Sequence, residues 1–300
     1  MMKDTVVGIG EALWDCLPEG RKLGGAPANF AYHVSQFGWR SAVVSAVGND
    51  ALGDEILQVF DKVRLSYDIA RVGYPTGTVQ VTLSQDGIPS YEICEDVAWD
   101  NIPWTEELTA LAARTKAVCF GSLAQRSPVS RQTIMRFIAS MDEDTERIFD
   151  INLRQHFYSL DVIGESLRQA TILKLNDEEI VVVAKLLGLG GNIKTPLAPN
   201  ALAEAQCREL LARYPQLRLV VLTCGAVGSY VFSADETSYL DTPKVVVADT
   251  VGAGDSFTAT FAQAILSGAT IREAHRKAVA VSAYVCTQDG AMPKLPENLK

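Results

Sequence analysis

Short apolar runs alternate with helical patterns along most of this chain. Val6-Val7-Gly8-Ile9 reads as a buried strand and is followed by a helical stretch near residues 28–37. Residues 42–47 and a helix around 52–62 repeat the unit. Further strands are expected at 117–120, 146–149, 171–175 and 219–223, with helices between them such as 130–140 and 202–213. This alternation predicts an α/β fold with a mostly parallel sheet covered by helices on both faces.

Two segments break the rhythm. Residues 10–20 and 76–97 are strand-prone with no helix between strands, and a polar turn at Gln85-Asp86-Gly87 gives the second the look of a hairpin. They are expected to form a small β-sheet lid on one large domain spanning residues 1–300. Residues 188–200, rich in Gly and Pro, read as a surface loop.

Three hundred residues with 48% hydrophobic and 21% charged side chains describe a globular chain with a substantial core. The net charge of −9 argues against nucleic acid as the main partner, because phosphate-backbone contacts need clustered cations. Six dispersed cysteines without a CxxC pair read as reduced core residues. The start, MMKDTVVGIGEAL, lacks the apolar stretch of a signal peptide, and no run approaches the ~20 apolar residues of a membrane helix. A cytoplasmic location without membrane contact is the expectation.

The most specific chemistry lies in Asp249 to Phe257, DTVGAGDSF. The preceding run, residues 245–248, reads as a buried strand, and a helical pattern starts near Ser256. Gly252, Ala253 and Gly254 then sit at a strand-to-helix turn, where main-chain N–H groups and the helix dipole favour an anion. Asp255, directly after this nest, is placed to take a proton from a hydroxyl attacking a phosphoryl group held there. Simple turn chemistry is the competing reading.

GGAPANFA (24–31) opens a helix with Pro27 in its first turn and Asn29 facing whatever lies in front of it. Asp15, in GEALWD, follows the first strand. A carboxylate and an amide at one sheet edge suit a polyol. Gly8-Ile9-Gly10 fails the dinucleotide fingerprint because Leu13 stands where a third small residue belongs, and no GxxxxGK[ST] loop exists. Arg154, just past a strand, has the planar fork that holds phosphate oxygens, with a salt-bridged surface arginine as the competing reading. Asn176 and Glu179 have capping-box spacing. Thr223, Gly225 and Gly228 lie in a loop between strand-like runs. His33, His156 and His275 have no metal-site spacing.

The whole DTVGAGD string with the N-terminal GGAPAN resembles the ribokinase/PfkB-type carbohydrate kinase family. Five motifs from Val6 to Met292 occur in the family order, and GEALWD, PTGTV and DINLRQHF are most similar to fructokinases. The resemblance implies a ribokinase-like fold and ATP-dependent phosphorylation of a primary sugar hydroxyl. It implies Asp255 as general base, with Gly252, Ala253 and Gly254 as the anion hole. It further implies Asp15, Gly25, Asn29 and Arg154 around the sugar, and Thr223, Gly225 and Gly228 against the nucleotide. Asn176 and Glu179 would surround a water-bound Mg²⁺, and Asp249 with residues 282–290 a monovalent cation such as K⁺. Fructose is the first expectation, 2-keto-3-deoxygluconate or another ketose or polyol the second, and an idle sugar- or nucleotide-binding sensor a different class. Lid pairing into a homodimer is also implied. Ile151 stands where many members carry Pro.

Overall fold

The computed structural model describes residues 3–17, 20–83, 89–190 and 199–300. Its strands are β1 (Thr5–Ile9), β2 (Leu13–Leu17), β3 (Gly20–Gly24), β4 (Arg40–Gly48), β5 (Ser66–Val72), β6 (Gly77–Leu83), β7 (Pro89–Ile93), β8 (Thr115–Phe120), β9 (Glu146–Asp150), β10 (Ile172–Asn176), β11 (Leu219–Thr223), β12 (Gly228–Phe232) and β13 (Thr237–Asp241). Its helices are α1 (Ala26–Ser35), α2 (Ala51–Lys62), α3 (Glu106–Arg114), α4 (Pro128–Ala139), α5 (Leu160–Gln169), α6 (Asp177–Leu187), α7 (Pro199–Arg213), α8 (Ala253–Leu266) and α9 (Ile271–Val285).

The nine-stranded sheet runs β13-β12-β11-β10-β9-β8-β1-β4-β5. It is parallel from β11 to β5, and only the β11–β12 and β12–β13 pairings are antiparallel. Neighbouring residues of one strand face opposite layers. Val7 packs with α3–α7, whereas Val6 packs with α1, α8 and α9. Both faces are therefore buried, which is why the central strands read as continuous apolar runs.

The two rhythm-breaking segments form a second, four-stranded sheet, β3-β2-β6-β7. The expected hairpin is β6–β7, antiparallel, with Gln85-Asp86-Gly87 outside the described residues. Thr76 ties this sheet to the main body: its N–H donates to Asp50 Oδ2 at 2.8 Å and its hydroxyl to Asp50 Oδ1 at 2.6 Å. Of the loop expected at 188–200, residues 191–198 lie outside the described residues, and Pro199 already begins α7.

One strand expectation fails. Residues 245–248 form an exposed coil, with Val246 89% and Val247 56% accessible. The N–H groups of Ala248 and Asp249 donate to the Cys286 carbonyl rather than to a strand. All six cysteines are free, with Cys119 and Cys207 buried and the other four partly exposed. Among the described residues no helix is long and apolar enough to cross a membrane.

Candidate active site

The C-terminal ends of β1, β9, β10 and β11 share one edge of the sheet, and α8 begins against it. Gly252 is the N-cap of α8, with φ 77°, a left-handed conformation open to glycine and costly for other residues. A Cβ there would lie 2.7 Å from Ala291. The N–H groups of Gly252, Gly254 and Asp255 donate to nothing among the described residues, whereas that of Ala253 is turned to the Thr250 carbonyl at 3.3 Å. The nest is thus three free donors at a helix N-terminus, arranged for an anion.

Asp255 stands in the first turn of α8, partly open to solvent. Asn29, in the first turn of α1, donates from Nδ2 to Asp255 Oδ2 at 2.7 Å. Asn29 is 4% exposed, and its Oδ1 has no partner. A buried acceptor left open beside a carboxylate is costly unless something donates to it. Gly25 caps α1 at φ 121°, with the space for a Cβ filled by the Glu11 carbonyl.

Burial pushes Asp255 up to about 6, and the charge of Asp150 adds to the rise, while Asn29, Lys174 and Arg154 oppose it. Asp150 ends β9 and is 5% exposed. Its Oδ1 lies 3.1 Å from Lys174 Nζ, and its Oδ2 accepts from the Thr258 hydroxyl at 2.8 Å. Burial draws Lys174 down, but the Asp150 and Glu179 charges outweigh it and hold the ammonium above its usual value. Lys174 also lies under the nest: a Cβ on Gly254 would meet its Nζ at 3.1 Å.

Glu11, between β1 and β2, is 4% exposed and accepts from the Ala26 N–H at 3.3 Å. Burial pushes it to about 7, and Asp255 adds to the shift. Asp15 lies half-buried on β2, its carboxyl raised by burial and lowered by Arg154. Arg154 is exposed beyond β9, flanked by left-handed Asn152 and Gln155. Its charge acts on Glu11, Asp15 and Asp255 alike, which gathers these N-terminal carboxylates around the same cation as Asp255.

Further along the edge, Asn176 caps α6: its Oδ1 accepts from the N–H groups of Glu178 and Glu179. Glu179 Oε2 accepts from Asn176 N at 2.8 Å and Oε1 from Leu153 N at 2.9 Å. The capping box is real. Thr223 is the register partner of Asn176 on β11, and the hairpin from Thr223 to Gly228 leads into β12, with the Gly225 carbonyl accepting from Thr242. Asp249 accepts from Val251 N and Gly290 N and lies 3.5 Å from Lys22 of β3. Burial alone would raise it, but these donors lower it.

The donor set fits Mg²⁺ only as an ion carried largely by phosphates and waters. Among the described residues no three carboxylate, His or Cys side chains cluster as a metal cage, and Glu179 already bridges two main-chain donors. At Asp249 the Lys22 ammonium supplies a positive charge where a monovalent cation was expected.

Glu11, Asp150, Lys174, Thr258 and Lys22 were not singled out from the sequence. Lys174 carried a signal, since an ammonium inside the apolar run TILKLN must be paired if buried. His33 and His275 are core residues, both lowered to about 4 by burial; His33 bonds the Ala291 carbonyl and His275 the hydroxyls of Ser229 and Ser238.

Residues 19–298 match the model of the pfkB family carbohydrate kinases. The chain is 28% identical over 292 residues to the ATP-dependent 6-phosphofructokinase of Thermoanaerobacterium thermosaccharolyticum, covering 95% of this chain and 85% of that protein. To the fructokinase of Salmonella typhimurium it is 27% identical, covering 96% and 95%. The crystal structure of fructokinase with bound ATP from Xylella fastidiosa superposes with a TM-score of 0.82 at 22% identity, over 98% of this chain and 96% of that one. The fructokinase of Vibrio cholerae O395 in its fructose, ADP and calcium ion bound form gives 0.77 at 25% identity, over 98% and 96%. The ribokinase-like fold, the intact nest and the full-length match lead to one assignment: the chain belongs to the PfkB family of carbohydrate kinases.

Proposed function

We propose that this kinase transfers the γ-phosphoryl group of ATP to a primary hydroxyl of a small unphosphorylated ketose, with fructose as the first choice. The observation that carries the reading is the Asn29–Asp255 contact: a carboxylate 2.7 Å from an amide whose Oδ1 lacks a donor. A sugar hydroxyl satisfies that oxygen and sets a neighbouring hydroxyl against Asp255. Asp255, ionised above its raised value of about 6, takes the proton as the sugar oxygen attacks phosphorus. The free N–H groups of Gly252, Gly254 and Asp255 receive the charge spreading over the transferred group, and Arg154 adds an exposed cation.

Asp15 accepts from further sugar hydroxyls, and Gly25 lets α1 begin close to them. Thr223, Gly225 and Gly228 bound the ribose and phosphates. Val227, Val246 and Val247, exposed on the two loops joined by Thr242 and Gly225, offer an apolar wall to a base. Asn176 and Glu179 would hold the waters of Mg²⁺, which when bound with ATP neutralises phosphate charge. The whole chain acts as one unit, with the four-stranded sheet closing over the sugar.

A coupled ADP-release assay across a sugar panel tests the reading. Fructose should give the highest kcat/KM, and preference for 2-keto-3-deoxygluconate or another polyol would correct the substrate. Asp255→Asn should lower kcat by about 10³-fold or more with ATP still bound. Near-normal turnover in that variant removes Asp255 as the base, and ATP binding without turnover of any sugar favours a sensor.

A further inference from the structure

The opposite edge of the sheet carries a second charged cavity. Thr5, Arg40 and Ser66 open β1, β4 and β5, and Arg114 directly precedes β8. Because these strands are parallel, this edge is remote from the ends that hold Asp150 and Asn176. Between them lies a cleft of about 940 Å³. Arg40, Lys62, Arg64, Arg114, Lys294 and Lys300 line it, and none of its lining residues is acidic. In a chain of net charge −9, six converging cations are a strong local reversal of sign.

Their counter-charges are few. Arg40 pairs with Asp4 and Lys300 with Glu297. The side chains of Lys62, Arg64, Arg114 and Lys294 make no hydrogen bond or ion pair with any described residue; Lys294 and Arg114 are neighbouring charges to Glu297 and Asp68. Cations at helix C-termini are favourable, which accounts for Lys62 and Arg114 one at a time. It does not account for their convergence.

Two further observations belong to the residues that line this cleft. Arg64 has φ 57°, just past the end of α2, where glycine is the natural occupant and arginine is strained. Ser41, lining the same cleft, is 6% exposed and its hydroxyl has no partner. Half-buried Trp39 adds an aromatic wall. The volume lies within the range of small-ligand pockets.

We propose that this cleft binds a small organic phosphate carrying two or more negative charges, at a site separate from phosphoryl transfer. Lys62, Arg64, Arg114 and Lys294 supply the four uncommitted cations, and Arg64 holds a strained backbone because its guanidinium is needed there.

Calorimetric titration of fructose 1,6-bisphosphate into the full-length chain, saturated with a non-hydrolysable ATP analogue and Mg²⁺, tests the proposal. One site per chain is expected, weakening as salt rises. Arg64→Gly suits the left-handed backbone, so its melting temperature should hold or rise; combined with Arg114→Gln it should weaken binding at least tenfold. The kcat and KM of the double variant without added ligand should match those of the parent. Absence of binding once the ATP analogue is bound overturns the proposal, as does equal affinity in the folded double variant.

Discussion

Replacing Asp150 by Asn tests whether the charge beneath the nest sets the protonation of Asp255. Asp255 lies about two units above its ordinary 3.8, so the protein favours its neutral form by about 3 kcal/mol. Burial is the larger cause and the Asp150 carboxylate the next. Asn keeps an oxygen for Lys174 or Thr258 but loses the negative charge, while the Lys174 ammonium stays. The lost negative charge, beside an ammonium that remains, favours ionised Asp255, and a fall of roughly one unit follows for a neighbouring charge removed. The acid limb of kcat/KM for the sugar, which reports the free enzyme, should move from near 6 to about 5. Leaving Lys174 buried without its partner should cost roughly 3–5 kcal/mol, so rates must be taken well below the lowered melting temperature. Initial rates of ADP release across the pH range, repeated in a Glu11→Gln background to separate the neighbouring carboxyl, supply the measurement. An unmoved acid limb, or one displaced upward, refutes the coupling.

Glu11→Gln should stabilise the ligand-free protein above pH 7. Its folded value of about 7 exceeds 4.5, so the native chain holds a proton that the unfolded chain has lost between these values, and stability declines as pH rises through that window. The ionised group costs at most about 3 kcal/mol, and melts at pH 5 and 8 should show a gain only at the higher pH. Gly252→Ala places a Cβ 2.7 Å from Ala291 in a left-handed backbone, so both ATP kcat/KM and melting temperature should fall; unchanged kinetics would show that the nest is not used. Asn176→Ala should cost about 1 kcal/mol of stability. Asn176→Ser should restore the cap without restoring the Mg²⁺ concentration for half-maximal rate, if the amide serves the ion as well as the helix.

The central strands were legible because burial on both faces leaves them uniformly apolar, and β8 to β11 fall close to the expected positions. Asn29 was legible from the Gly-Pro helix start, and Asp255 from the small residues before it. Residues 245–248 were misread for a physical reason: a solvent-facing apolar wall and a buried strand use the same β-branched residues. Glu11 and the Asp150–Lys174–Thr258 network stayed hidden because their meaning depends on contacts between β1, β9, β10 and α8. Lys22 meets Asp249 only because the smaller sheet folds back over the nest.

The bond between Asn29 and Asp255 spans 226 positions. A chain still emerging from the ribosome, or one shorn of its last helices, holds Asn29 without Asp255. On the proposed reading such a fragment lacks the base and has no means of wasting ATP. On that reading competence arrives only when these two distant segments have met, so catalytic rate doubles as a report on complete folding.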